Sequence, residues 1–322
     1  MKYVYSSIFQ REFDDYITMR KAANMKIKDD AYTLASLDSF LVQQGAITKE
    51  LTEQILLNWL QSMNVKPITK KRKLFCIRGL AKYLRSLGYD IFTPELPKAV
   101  SSYVPYIFSE PELRDIINAS DNLAAKFSGM QAPVLMPLLI RMLYGCGLRL
   151  GEAMALRWHD VNLVDGIIKI RYAKNEKQRI VPMHETLTKL CQIYFESYSS
   201  VDVQNDYIFK NCKGTPYCQT WIRQLFSQIL KSAGIEYMRS EKQERGPCLH
   251  CFRHLFVFHS LTNSASNGRC FEDSVPFLST YLGHNSIMET DKYLRFSYEL
   301  NHDAHRIVSA YTGNVFPTVE DL

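Results

Sequence analysis

Apolar residues recur every three or four positions through the first part of the chain: Phe13, Ile17 and Met19, then Tyr32, Leu34, Leu37, Phe40 and Leu41, then Leu51, Ile55, Leu56 and Leu60. A helix with one buried face imposes that period, so the segment from Phe9 to about Leu87 is predicted to form four or five short helices. In the last of them Leu74, Ile77, Leu80 and Leu84 supply the buried stripe behind the run Thr69-Lys70-Lys71-Arg72-Lys73. Between Asp90 and Pro105 the period is lost and Pro94, Pro97 and Pro105 accumulate. Proline turns the preceding residue toward extended backbone, so this stretch reads as a linker. The pattern divides the chain into a helical domain at 1–90, a linker at 91–106 and a second domain at 107–322.

The second domain opens on Ser109-Glu110-Pro111-Glu112, a serine cap, a first-turn proline and the glutamate that completes a capping box. The longest apolar segment, Val134 to Leu143, is interrupted by Pro137 and Arg141. It falls short of the roughly 20 residues needed to span a bilayer and reads as a buried core helix. Gly166 to Tyr172 alternates as a strand does, and Arg179-Ile180-Val181-Pro182 is its expected partner across a polar turn. The remainder is mainly helical. The fold class expected is therefore mainly α with a small β-sheet, a helical domain followed by a mixed α/β domain.

Composition narrows the setting. At 322 residues, 46% hydrophobic and 22% charged, the chain has the make-up of an ordinary globular protein with room for two cores. The opening residues soon meet Gln10, Arg11 and Glu12, so no secretory signal and no membrane partner are expected, and a cytoplasmic location is. Eight cysteines in such a chain point to reduced thiols. The net charge of +6 lies wholly in residues 1–100, which hold 16 Lys and Arg against 10 Asp and Glu, whereas the rest holds 23 of each. A basic domain attracts a polyanion, although a solvated helix face would leave the same signature.

Five places in the second domain carry chemistry. In Tyr144-Gly145-Cys146-Gly147-Leu148-Arg149-Leu150-Gly151-Glu152 an apolar helix ends at paired glycines and a new one begins, with Arg149 and Glu152 three residues apart. That spacing lets the carboxylate orient a guanidinium suited to gripping two phosphate oxygens. The hairpin tip from Ala173 to Arg179 presents Lys174, Lys177 and Arg179, any of which could reach a leaving oxygen. His250-Cys251-Phe252-Arg253 sets two phosphate-capable side chains three apart, and Leu282-Gly283-His284 is followed nine residues later by Tyr293.

Taken in order, Arg149, Lys174, His250 with Arg253, His284 and Tyr293 closely resemble the catalytic motifs of the tyrosine recombinases, the group of phage integrases and Xer-type enzymes. The resemblance spans roughly residues 105 to 300. The helical first domain resembles that family's core-binding (SAM-like) domain by helix content and position. The resemblance implies a site-specific recombinase that breaks and rejoins DNA through a 3′-phosphotyrosyl intermediate on Tyr293. Arg149 and Arg253 would clamp phosphate oxygens, Lys174 would act as general acid, His250 as acid or base toward the tyrosine, and His284 as a hydrogen-bond partner of the phosphate. The link conserves the energy of the phosphodiester, so no ATP, metal or other cofactor is expected.

Expected DNA contacts are Lys70, Lys71, Arg72, Lys73, Arg78, Lys177 and Arg179, on a double-stranded recombination site. The resemblance also implies a homotetramer assembled from dimers, a C-terminal subunit-exchange segment after Tyr293, and accessory DNA-bending proteins as further partners. The chain departs from the compact family pattern at Thr262 to Arg269, a polar stretch read as part of an insertion at 262–275 that forms a surface loop. Three other readings stand beside this one. A noncatalytic DNA-binding regulator should have lost one of the six residues, and a type IB topoisomerase shares the chemistry. A zinc protein could use Cys248 and Cys251 with Cys212, Cys218 and His254, but its ligands overlap the His250 to Arg253 motif.

Overall fold

The computed structural model describes residues 4–97, 105–123, 132–171, 178–198, 205–238, 246–269, 271–284 and 286. The chain forms two compact units, Met1–Tyr103 and Val104–Leu322, each with its own apolar core. Four helices make up the first: α1 (Gln10–Ala22), α2 (Lys28–Gln43), α3 (Glu53–Gln61) and α4 (Pro67–Ser86). Their apolar stripes converge, with Phe9, Phe13, Leu34, Leu37, Trp59, Ile77, Leu80 and Leu84 all at 0% exposure. Thr52 caps α3 by accepting from the Ile55 amide at 3.3 Å.

Two expectations for this unit change. Helix α4 begins at Pro67, so the basic run occupies its first two turns and cannot all face solvent. Arg72 is exposed and Lys70, Lys71 and Arg78 are half-buried, but Lys73 is buried, its ammonium 4.9 Å from the Tyr32 ring and 5.8 Å from the Trp59 ring. Lys73 is thus a packing residue and is withdrawn from the DNA-contact set. The stretch after Asp90 is non-helical as its prolines dictate, yet Ile91 is buried in the first core and bridges to Leu51. At the far end Tyr106 and Phe108 pack into the second core, so both ends of the 91–106 segment are anchored.

The second unit contains α5 (Glu110–Asp121), α6 (Ala132–Gly145), α7 (Leu150–Ala153), β1 (Val161–Asn162), β2 (Ile167–Ile170), β3 (Arg179–Pro182), α8 (Glu185–Tyr198), α9 (Gln219–Ser232), α10 (Cys251–Ser266) and α11 (Phe271–Leu282). The capping box forms as the motif predicts, with the Ser109 amide 2.8 Å from Glu112 Oε2 and the Glu112 amide 3.4 Å from Ser109 Oγ. Helix α6 lies at the centre of this core, its Leu135, Met136, Leu139, Ile140, Met142 and Leu143 wholly buried against α5, α8 and α10. The antiparallel sheet runs β1-β2-β3, with Ile168, Ile170 and Val181 turned inward. Alternation announced β2 and β3; the two-residue β1 carries no pattern of its own.

The polar stretch Thr262 to Arg269 corrects another expectation. Instead of a loop, α10 continues to Ser266, with the Thr262 hydroxyl bonded back to the Phe258 carbonyl and Ser264 Oγ 2.5 Å from Ser274 Oγ of α11. Leu261, on the inner face, packs with Val275 and Leu278 of α11. Among the described residues no helix is long and apolar enough to cross a membrane.

Candidate active site

Gly147 takes a left-handed backbone, φ 59°, between the end of α6 and the start of α7. A β-carbon there would also come 2.6 Å from the Phe256 ring, so the turn depends on glycine twice over. The turn leaves Arg149 as the residue capping α7. The three-residue spacing both caps the helix and orients the guanidinium: Glu152 Oε2 accepts from the Arg149 amide at 3.0 Å and Oε1 from its Nη1 at 2.8 Å.

Glu152 is held by a second arginine. Arg179, the first residue of β3, donates Nη2 to Oε2 at 2.7 Å and Nη1 to Oε1 at 3.1 Å. Its side chain is only 7% exposed, so the expectation of a DNA-contacting hairpin residue is corrected to a buried ion pair. The sheet held the signal: with Ile180 61% exposed and Val181 at 0%, alternation places Arg179 on the inward face. A third guanidinium, of Arg253, lies 4.0 Å from Glu152 Oε2. Burial alone would raise the carboxyl pKa, but the hydrogen bonds and charge of Arg179, with the bonds from Arg149, outweigh it and hold Glu152 at about 2. One carboxylate thus faces three guanidiniums.

Arg253 extends from the first turn of α10 and is 1% exposed. It donates Nη1 to the Gly147 carbonyl at 2.8 Å and Nη2 to the Leu282 carbonyl at 2.8 Å. Arg149 Nη1 reaches the same Leu282 carbonyl at 3.3 Å. Leu282 ends α11, and Gly283 at φ 63° closes the helix, its amide bonding to Thr280 O and that of His284 to Ser279 O, each at 3.0 Å. The closure delivers His284 to Arg253, Nε2 to Nη2 at 3.0 Å. A guanidinium only donates, so Nε2 accepts and the ring proton belongs on Nδ1. Burial first, then the charges of Arg253, Arg149 and Arg179, push the His284 pKa down to about 3, which keeps the ring neutral near pH 7.

His250 is exposed immediately before α10, its carbonyl accepting from the Arg253 and His254 amides at 3.1 and 3.3 Å. Its ring lies 4.6 Å from that of the buried His254, whose pKa is pushed down to about 3 by burial and by the charges of His250 and Arg253. The structure therefore brings together Arg149, Glu152, Arg253 and His284 of the expected site and adds Arg179. Tyr281 went unnoticed in the sequence: stacked on Phe256, it donates its hydroxyl to the Cys146 carbonyl at 3.2 Å and ties the Gly147 turn to α11. Lys174, Lys177 and Tyr293 lie outside the described residues. Cys248 and Cys251 sit with sulfurs 3.6 Å apart, and among the described residues no three His, Cys, Asp or Glu gather as a metal-binding group.

Residues 107–299 match the phage integrase family. The tyrosine recombinase XerC of Chlorobaculum parvum is 27% identical over 296 residues, covering 81% of each chain. The tyrosine recombinase XerD of Vibrio cholerae is 26% identical over 258 residues, covering 75% of each. Among solved structures, the XerH site-specific recombinase bound to palindromic difH substrate in a post-cleavage complex shares the fold, with a TM-score of 0.65 and 20% identity over 89% of this chain and 79% of that one. The chain belongs to the phage integrase family, the tyrosine recombinases.

Proposed function

We propose that this protein is a site-specific DNA recombinase that integrates, excises or resolves a DNA element by breaking and rejoining strands through a 3′-phosphotyrosyl link on Tyr293. The observation that carries the reading is the charge of the buried cluster. The guanidiniums of Arg149, Arg179 and Arg253 gather around the carboxylate of Glu152, a concentration of positive charge that suits a phosphodiester whose negative charge grows toward the transition state. Tyr293 Oη attacks phosphorus, the bond to the 5′ oxygen breaks, His250 takes the tyrosine proton and Lys174 protonates the departing oxygen. The incoming 5′ hydroxyl of the partner strand then reverses these steps and regenerates the tyrosine.

Arg149, 20% exposed, is the guanidinium a phosphate meets first. Arg253 is fixed beside Arg149 by its bonds to the Gly147 and Leu282 carbonyls, which aim its guanidinium in this reading. Neutral His284, held through Nε2 by Arg253, serves as a hydrogen-bond partner of the phosphate. Lys70, Lys71, Arg72 and Arg78 in the first unit, with Lys177 beyond the described residues, bind the backbone of the duplex. The working assembly is a tetramer on DNA, built from dimers through the C-terminal segment, in the cytoplasm and with DNA-bending accessory proteins as partners.

The test uses nicked duplexes covering the DNA that flanks the gene, incubated with wild type or Tyr293→Phe and resolved on a denaturing gel. A covalent adduct with wild type alone is expected. An adduct that survives the substitution would move the nucleophile to another tyrosine. Binding to a verified target without an adduct would leave a noncatalytic DNA-binding protein.

A further inference from the structure

Arg179 combines four properties that a phosphate contact would not need. It is nearly enclosed at 7% side-chain exposure, and it spends both terminal nitrogens on Glu152, at 2.7 and 3.1 Å, in the two-pronged geometry that a carboxylate accepts best. It stands opposite Ile170, where the β2–β3 ladder opens into the connection that carries Lys174 and Lys177. It also lies beneath Gly283, where a β-carbon would come 3.2 Å from Arg179 Nη1. One side chain thereby joins the base of the hairpin, the carboxylate that aims Arg149, and the helix end that presents His284.

We propose that Arg179 is a positioning residue of the recombination reaction: its pairing with Glu152 sets the guanidinium of Arg149 and the root of the Lys174 hairpin in register with the scissile phosphate. The inference rests on the recombinase reading above. Glu152 shares its two oxygens between Arg149 and Arg179, so a carboxylate relieved of Arg179 can swing fully onto Arg149 and draw it off the phosphate. The hairpin at the same time loses its only ion pair to α7 among the described residues. Misplacement of about 1 Å in such a site costs on the order of 100-fold in rate without touching the chemistry directly.

The experiment compares Arg179→Met, Arg179→Lys, Glu152→Gln and the double variant Arg179→Met with Glu152→Gln. On the duplex that wild type cleaves, single-turnover adduct formation is expected to fall about 100-fold in Arg179→Met, with Arg179→Lys intermediate. The double variant should be no slower than its worse parent within about threefold, because the two residues act as a pair. The dependence of DNA affinity on salt should keep its wild-type slope. Losses that multiply in the double variant, or a slope reduced by about 0.9, would identify a direct phosphate contact and overturn the proposal.

A second arm needs no DNA. The Glu152 carboxyl, assigned by its loss in Glu152→Gln, is followed by carbon-13 NMR titration and should move from well below the ordinary carboxylate range to within or above it in Arg179→Met. An unmoved titration overturns the pairing even when wild type forms no Tyr293-dependent adduct, an outcome that sinks the recombinase reading instead. Should Arg179→Met fail to fold because Glu152 is left buried without its partner, the double variant, which carries neither charge, is expected to fold. A double variant that also fails would show that the side chain serves packing, and the proposal falls.

Discussion

Burial and neighbouring cations act on the site's titratable residues in the same direction at His254 and in opposite directions at Glu152. At Glu152 burial favours the neutral acid, and the arginine bonds and charge win, leaving a carboxylate at about 2. At His254 burial and the charges of His250 and Arg253 both disfavour the imidazolium, and its pKa falls to about 3. Unfolded, the same ring titrates near 6.5. Between about pH 6.5 and 5 the unfolded chain therefore takes up a proton that the folded chain refuses, and stability falls as pH falls. Each such histidine contributes a slope of at most about 1.4 kcal/mol per pH unit in that window. His254→Asn is predicted to flatten the slope by up to that amount in urea unfolding measured across the window, where Glu152 does not yet titrate. An unchanged slope would show that the ring takes up its proton alike in both states.

Helical periodicity sorts residues that look alike in a row. In α4, Lys73 stands four, seven and eleven positions before Ile77, Leu80 and Leu84, and so shares their buried stripe, while Arg72 points outward. The basic run read as one surface patch is split by the period. Its prediction is a difference in salt dependence: Arg72→Ala should reduce the slope of log affinity against log salt by about 0.9 for the phosphate it releases, and Lys73→Ala should leave the slope at its wild-type value. Equal reductions would place Lys73 on DNA and contradict its packing against Tyr32 and Trp59. The same logic explains α10, where the polar stretch from Thr262 to Ser266 continues a helix whose inner face is anchored by Leu261 against α11, with the Thr262 hydroxyl bonded to the Phe258 carbonyl and that of Ser264 to Ser274 of α11. Hydrophilic composition alone suggests a loop; the packing of Leu261 with Val275 and Leu278 keeps the segment helical.

Over the whole chain, the excess positive charge falls in the first 100 residues and the catalytic motifs in the remainder. In the proposed function the first unit holds the duplex and the second carries out the reaction. The C-terminal segment, with Leu300, Ile307, Val308 and Tyr311 as an apolar set, belongs to assembly in the proposed function. A chain ending at Ser297 is predicted to bind its duplex as wild type does but to stop short of the tetramer on DNA, measured by light scattering of the purified complexes. Tetramers formed by the truncated chain would remove the segment from subunit exchange.

The helices of the first unit, the capping box, β2 and β3 were legible in the sequence, because each depends on neighbours within a turn or a ladder, whereas Arg149, Lys174, His250, Arg253, His284 and Tyr293 stood out only as an ordered set through a family resemblance. Which arginine would reach phosphate and which would be spent on a carboxylate was not legible. Arg253 meets the Gly147 carbonyl across 106 positions, Arg149 meets that of Leu282 across 133, and Arg179 meets Glu152 across 27. Contacts at those separations arise only once α6, α10, α11 and the sheet have packed around one core. Burial then raises the cost of every unpaired charge until a single arrangement of ion pairs remains.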